Sequence, residues 1–317
     1  MNTFNTAILF MVFNRPELTK KSFEKICQVK PSKLYVACDG PREGHENDRE
    51  SVTKVREIAT MVNWPCELKT LFQENNLGCK KGCITAIDWF FEKEEKGIIL
   101  EDDCLPNLDF FNFCENLLNR YNDDDSVSFI TGNNFQNGNL RGDASYYFSK
   151  YISLWGWATW KSSWQRYDVG NMKFWPEWKN SKDFSDKIPD KVEQKYWKNI
   201  FNLMYLDKID TWDHPLTASV WYNGGLTATP NNNLVSNIGF GEGATHTIIE
   251  DNENSMMPVQ SIGVLKHPKK VERNIEADDW SFNYHYGGKN LRFPTNFIFH
   301  FQRLMNYLLK NINKNMN

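Results

Sequence analysis

A doubly wound α/β fold, with a mostly parallel sheet flanked by helices, is what this sequence predicts, and three observations carry the prediction. Apolar runs of strand length alternate with segments of helical spacing through the first hundred or so residues. Ile98, Ile99 and Leu100 form an unbroken aliphatic run after Gly97, as suits a parallel strand covered on both faces. Glu101, Asp102 and Asp103 follow that run directly, at the carboxyl end where open α/β sheets bind their ligands.

Residues 7–13 are a strand, ended by Asn14, Arg15 and Pro16. Pro16 suits a first helical turn, and 18–29 carries helical spacing. A second strand over 33–38 closes at Asp39, Gly40 and Pro41, and strand, helix, strand of this length is a βαβ unit with a parallel pair. A polar loop over 42–49, a helix over 50–62, a strand over 66–72 and an amphipathic helix over 79–95 then lead to the acid-tipped strand. Residues 1–106 thus read as a nucleotide-binding half.

A helix over 109–121 carries Phe110, Phe111, Phe113 and Leu117 on its apolar side. The second acidic triplet, 123–125, falls between that helix and a strand over 127–131 and reads as a solvated turn. The aromatic, small-residue stretch 146–160 is expected to floor a pocket, and 161–208 to be helical and charged. Residues 209–215 turn into a helix, with Asp213 able to cap it and Pro215 in the first turn. A short strand over 225–230 precedes the Gly/Asn-rich run 231–247, expected to be a binding loop or lid. The domain is placed at 1–250, its acceptor half at 107–250. A C-terminal extension over 251–317 carries a basic amphipathic helix at 295–310, which either contacts a membrane surface peripherally or packs back on the domain, the second being preferred.

The 317 residues suffice for a sizeable core, and 37 basic against 40 acidic residues give a net charge of −3, no sign of a nucleic-acid partner. Seven scattered Cys without a CxxC pair point to reduced thiols and a cytoplasmic protein. No basic leader precedes the first strand and no apolar run reaches about 18 residues, so neither a signal peptide nor a membrane span is expected. Twelve Trp are a surplus that serves either core packing or stacking on sugar rings and bases.

Three adjacent carboxylates at a strand end read either as a solvated acidic turn or as a group that a cation neutralises, and for a cation the hard oxygen donors favour Mg or Mn. With the segment 100–111, the Leu154, Trp155, Gly156, Trp157 run, the Thr211, Trp212, Asp213 run and the block 230–241 leading to Thr245 and His246 in order, the chain resembles glycosyltransferases of the GT-A fold. It is similar to the N-acetylglucosaminyltransferase I family (family 13) and to bacterial family-2-like transferases, over about 7–247. The resemblance implies a metal-dependent, inverting transfer from a nucleotide-sugar, a UDP-sugar being favoured, to a hydroxyl of a glycan or glycolipid acceptor. That chemistry needs charge neutralised on the leaving diphosphate, a base for the acceptor and a dry pocket.

The resemblance gives Asp103 to the divalent cation (Mn or Mg), Asp102 to the ribose or donor sugar, Glu101 to the sugar, and Asp213 to the acceptor proton, with His214 as the other candidate base. It places Arg15 and Asp39 against the nucleotide and gives His246 a further metal or phosphate contact. Lys80 opens a helix whose N-terminus favours anions, and Trp157 or Trp155, flanking Gly156, is expected against the sugar. Plainer readings stand beside these: an N-cap for Asp213, salt bridges for Arg15 and Asp39, a solvated Lys80, a core Trp157 and a loop His246. Bacterial surface-polysaccharide synthesis at the inner face of the membrane is the setting the family suggests. A nucleotidyltransferase, which would need a Gly-rich loop where Phe13, Asn14 and Arg15 stand, a non-catalytic transferase-like scaffold, and a nucleotide-sugar hydrolase are the alternatives.

Overall fold

The computed structural model describes residues 4–168, 171–240 and 256–295. The first half runs β1 (Ile8–Val12), α1 (Pro16–Val29), β2 (Lys33–Cys38), α2 (Asp48–Ala59), β3 (Glu67–Phe72), α3 (Cys79–Phe91), β4 (Lys96–Glu101) and the short β5 (Cys104–Pro106). Then come α4 (Leu108–Arg120), β6 (Val127–Thr131), β7 (Tyr146–Ser149), β8 (Trp157–Trp160), α5 (Lys161–Gln165), α6 (Trp175–Trp178), α7 (Lys182–Lys187), α8 (Lys191–Tyr205), α9 (Asp213–Asn223), β9 (Leu226–Pro230), β10 (Val235–Asn237) and α10 (Ile275–Trp280).

Eight strands form one sheet in the order β3-β2-β1-β4-β8-β6-β9-β7. The pairs β3/β2, β2/β1, β1/β4 and β6/β9 are parallel, whereas β8 runs against β4 and β6, and β7 against β9. The expected α/β fold with a mostly parallel sheet flanked by helices is therefore present. Strand order reverses between β1 and β4, leaving a crevice at their carboxyl ends.

Two cores cover the sheet. Ile8, Phe10 and Val12 pack with Phe23 and Ile26 of α1, Val55 of α2 and Phe110 and Leu117 of α4, while Leu9 and Met11 pack with Ile87 and Phe90 of α3 and Trp212 and Leu216 by α9. This alternation along β1 is the period-two signature of a strand buried on both faces. The apolar face predicted for α4 is the buried one, and Asn107 caps the helix by accepting from the Phe110 N–H at 3.0 Å, a contact worth about 1 kcal/mol. A third cluster gathers Trp175, Trp178, Trp197, Phe201 and Trp221 around α6–α9.

The stretch 146–160 departs from expectation. Its two ends are β7, at the edge of the main sheet, and β8, inside it, and the residues of both strands are all buried and serve packing. Nine of the twelve Trp are buried, so the aromatic surplus mostly serves packing. The described part of the expected extension, 256–295, lies against the sheet: Asn274 donates to the Phe148 carbonyl at 2.7 Å, and Ile262, Leu265 and Val271 pack on the first core. Of residues 295–310, all but Thr295 lie outside the described residues. Among the described residues no helix is long and apolar enough to cross a membrane.

Candidate functional site

The β1–β4 crevice opens into a cavity of about 420 Å³, lined from the ends of β1, β2, β3 and β4 and from the start of α3. Arg15 stands between β1 and α1 because Pro16 takes the first helical position. Its Nη2 donates to Asp102 Oδ1 and, at 3.1 Å, to Asp103 Oδ2. Asp102 is 2% exposed and also accepts from the Phe13 N–H at 3.3 Å. Burial pushes its carboxyl up to about 6, against the pull of Arg15. Burial likewise works against the Arg15 charge, but Asp102 and Asp103 outweigh it and hold the guanidinium protonated. Glu101 is driven well above the usual carboxylate range, first by enclosure and then by Asp103, Cys79 and Asp102.

The short pair β5/β10 brings residues 238–240 over the acids, and the Ile238 N–H donates to the Asp103 carbonyl at 2.9 Å. Gly239 is pressed so close that a Cβ there would stand 2.3 Å from Asp103 Oδ2 and 2.8 Å from Arg15 Nη1. Only glycine fits this approach.

Asp39 lines the cavity but already accepts from the Gly40, Leu77 and Gly78 N–H groups at 2.8–3.1 Å, pinning the loop before α3. On α3, Cys79, Gly82, Cys83 and Ala86 face the cavity at helical spacing. Lys80 falls off that face and pairs with Asp207 at 3.0 Å, so it bridges α3 to the turn after α8 and does not line the cavity. Trp157 is fully buried on β8, packed against Phe129, Trp164 and Trp212, and presents no face to a ligand. Asp213 opens α9, where it accepts from Thr211 Oγ1 and, at 2.7 Å, from the His214 N–H. It is 44% exposed at the side chain and is not among the cavity-lining residues. His246 lies outside the described residues.

The structure therefore brings Arg15, Asp39, Glu101 and Asp102 together around one cavity, with Asp103 bonded to the same arginine. It adds residues the sequence reading passed over: Phe13, Asn14, Arg42 and Asp210 also line it. Arg42 is held by Asp48 at 2.6 and 2.9 Å and lies 5.4 Å from the Phe13 ring centroid. Asp210 carried a legible signal, an acid at the head of the same turn as Asp213.

Carboxylate oxygens are the donors that Mg and Mn take, often one or two from protein with the rest from phosphates and water. Asp103, with its second oxygen turned from Arg15, supplies that kind of donor, whereas Asp102 is committed to Arg15 and Phe13 and the enclosure of Glu101 disfavours its carboxylate form. Among the described residues no three His, Cys, Asp or Glu side chains converge as a cage. The set fits a cation anchored by one carboxylate and completed by substrate.

No protein-family model matches the chain, and no curated protein does. Three solved structures similar to parts of it are distant. A 4-diphosphocytidyl-2C-methyl-D-erythritol synthase from Anaerococcus prevotii is 5% identical, with 71% of this chain and 88% of that one covered and a TM-score of 0.34. An inositol-1-phosphate CTP transferase from T. maritima is 7% identical, with 73% and 86% covered and a TM-score of 0.36. The glycosyltransferase GlyE of Streptococcus pneumoniae is 11% identical, with 72% and 45% covered and a TM-score of 0.30.

Proposed function

We propose that this chain is a GT-A type glycosyltransferase that moves a sugar, with inversion, from a nucleotide-diphosphate sugar to a hydroxyl of a glycan or glycolipid. The observation that carries the reading is the cavity at the β1–β4 crevice, where Arg15, Asp102 and Asp103 are bonded at the sheet's turning point and the α3 N-terminus opens beside them. A UDP-sugar is the favoured donor, and bacterial surface-polysaccharide synthesis the favoured setting.

In this reading the base and ribose enter between Phe13, Arg42 and Asp39, and the diphosphate lies toward Arg15 and the α3 N-terminus, where positive charge and backbone dipoles stabilise it. Arg15 then serves twice, neutralising Asp102 at rest and meeting phosphate in the complex. A Mn or Mg ion held by Asp103 would supply charge neutralisation on the leaving diphosphate. Glu101, whose enclosure favours its neutral form, faces the donor sugar. Asp213 takes the acceptor proton; its contacts with Thr211 and His214 fall on Oδ1, and among the described residues Oδ2 carries none.

Calorimetric titration with UDP, GDP, CDP and their sugar conjugates, with Mn and with chelator, tests the donor site. One nucleotide should bind with metal and bind at least tenfold more weakly to Asp103→Ala; if none binds, the reading falls. Product analysis separates the nucleotidyltransferase reading, which predicts pyrophosphate from a nucleoside triphosphate and a sugar phosphate. Here α1 starts at Pro16, directly after Phe13, Asn14 and Arg15, which leaves no Gly-rich loop for a triphosphate.

A further inference from the structure

Cys79 and Cys83 stand one turn apart at the head of α3, and both line the cavity at the β1–β4 crevice. All seven cysteines are thiols. Cys27, Cys38, Cys66, Cys104 and Cys114 pack with the first core, whereas Cys79 and Cys83 pack with the second. Both are partly exposed, and the cavity gives a small molecule access to them.

The Cys83 thiol is pushed well above its usual range, first by its hydrogen bond with Cys79, then by burial and by the charges of Glu101, Cys79 and Asp39. It therefore stays protonated and donates to the Cys79 sulfur. Cys79 opens the helix after Gly78, and the first turn carries Lys80 and Lys81 and no acid. A helix N-terminus with cations beside it favours thiolate over thiol. Residues four apart on a helix have Cα atoms about 6 Å apart, within the roughly 4.4–6.8 Å that disulfides span. Their Cβ atoms, at about 5–6 Å, must close by about 1–2 Å to reach disulfide geometry. The first turn can give, because Cys79 is the first helical residue, Gly78 before it has a φ of 80° and no side chain caps the end. A bond closed under such strain is readily reduced again.

We propose that Cys79 and Cys83 are a reactive dithiol in the cavity wall, a modification site that a low-molecular-weight disulfide converts reversibly to an intrahelical disulfide. Cys79 Sγ, its proton given to water, attacks one sulfur of the reagent and forms a mixed disulfide, and the other half leaves as a thiolate and takes up a proton. Once Cys79 is tied up, its hydrogen bond and charge no longer hold the Cys83 proton. Cys83 loses that proton and attacks Cys79 Sγ, releasing the second half of the reagent. The two cysteines lose two electrons and two protons, and the reagent is reduced to two thiols.

The small, uncharged hydroxyethyl disulfide tests this on the full chain, with iodoacetamide trapping of the remaining thiols and peptide mapping by mass spectrometry. The product should be a chain lighter by two hydrogen atoms, with Cys79 linked to Cys83 while Cys27 and Cys66 stay open to alkylation, and dithiothreitol should restore both thiols. Without the reagent, Cys79 should alkylate about threefold or more faster than Cys27 at neutral pH. Cys83→Ser should stop at a stable mixed disulfide on Cys79, and the wild-type map stands whether or not that variant folds. A link to another cysteine, mixed disulfides that never close, or a Cys79 that alkylates no faster than Cys27 overturns the proposal. The mapping needs no nucleotide, so its outcome is separate from that of the glycosyltransferase reading.

Discussion

The Arg15 guanidinium bonds two consecutive carboxylates, Asp102 and Asp103, across the turning point of the sheet. Asp102 nonetheless titrates high, at about 6, because burial outweighs its partner. An unfolded Asp titrates near about 4, so the folded state holds more protons between about pH 4 and 6. Stability should therefore fall as pH rises through that window. Asp102→Asn removes the titration, so wild type should lose ground against the variant from pH 4 to 6, by at most ~3 kcal/mol. Urea melts across that range check it; a pH-independent difference would refute the assignment.

Gly239 makes a different demand. Its missing Cβ is what lets residues 238–240 close over Asp103, since that atom would stand 2.3 Å from Oδ2. Gly239→Ala should push this segment off the acids and weaken nucleotide binding about tenfold or more, while the melting temperature moves little because the main sheet is untouched. Equal affinity for glycine and alanine variants would show that the close approach is not used.

The first half of the fold was legible because each element announces itself locally: the aliphatic runs became β1, β2 and β4, and Pro16 marked the start of α1. The acids at 101–103 were legible by position at a strand end. What could not be read was which side of an element a residue takes. Lys80 sits one residue off the α3 face that lines the cavity, a difference of about 100° around a helix. The aromatic stretch 146–160 looked like a binding surface because sheet interior and sugar site favour the same residues; only its pairing with β4, β6 and β9 decides. The stacking of Phe135 on His285, 150 positions apart in the chain, leaves no local trace.

A buried ion pair, Lys150 with Glu193 at 2.6 Å, joins the end of β7 to α8, with both residues under 6% exposed. Burial lowers the Lys150 ammonium's pKa even with Glu193 beside it. Tyr151 also donates to Glu193, so Glu193→Gln leaves a buried charge alone and should cost about 3–5 kcal/mol. Lys150→Met combined with Glu193→Leu should recover much of that loss, since an apolar pair carries no desolvation penalty. Urea unfolding of the single and double variants decides; a double variant as unstable as the single one would mean the pair is held for its geometry.

Asp210 and Asp213 stand three residues apart on one turn but face different surroundings. Asp210 lines the cavity at the β1–β4 crevice beside Gly78. Asp213 lies nearer the C-terminal rings: its neighbour His214 packs 5.9 Å from Trp197, and its charge acts on Tyr286, whose phenol is pushed up by burial, Tyr196 and Asp213. Tyr286 adjoins His285, 4.7 Å away between ring centroids. Asp213 therefore lies on the side of these rings and does not line the β1–β4 cavity. Asp213→Asn should lower kcat about 10²- to 10⁴-fold with nucleotide affinity unchanged, as loss of a general base does. Asp210→Asn should instead shift nucleotide affinity and leave most of kcat. Steady-state rates and calorimetric affinities measured on both variants separate the roles, and an unaltered kcat in Asp213→Asn would remove it as the base.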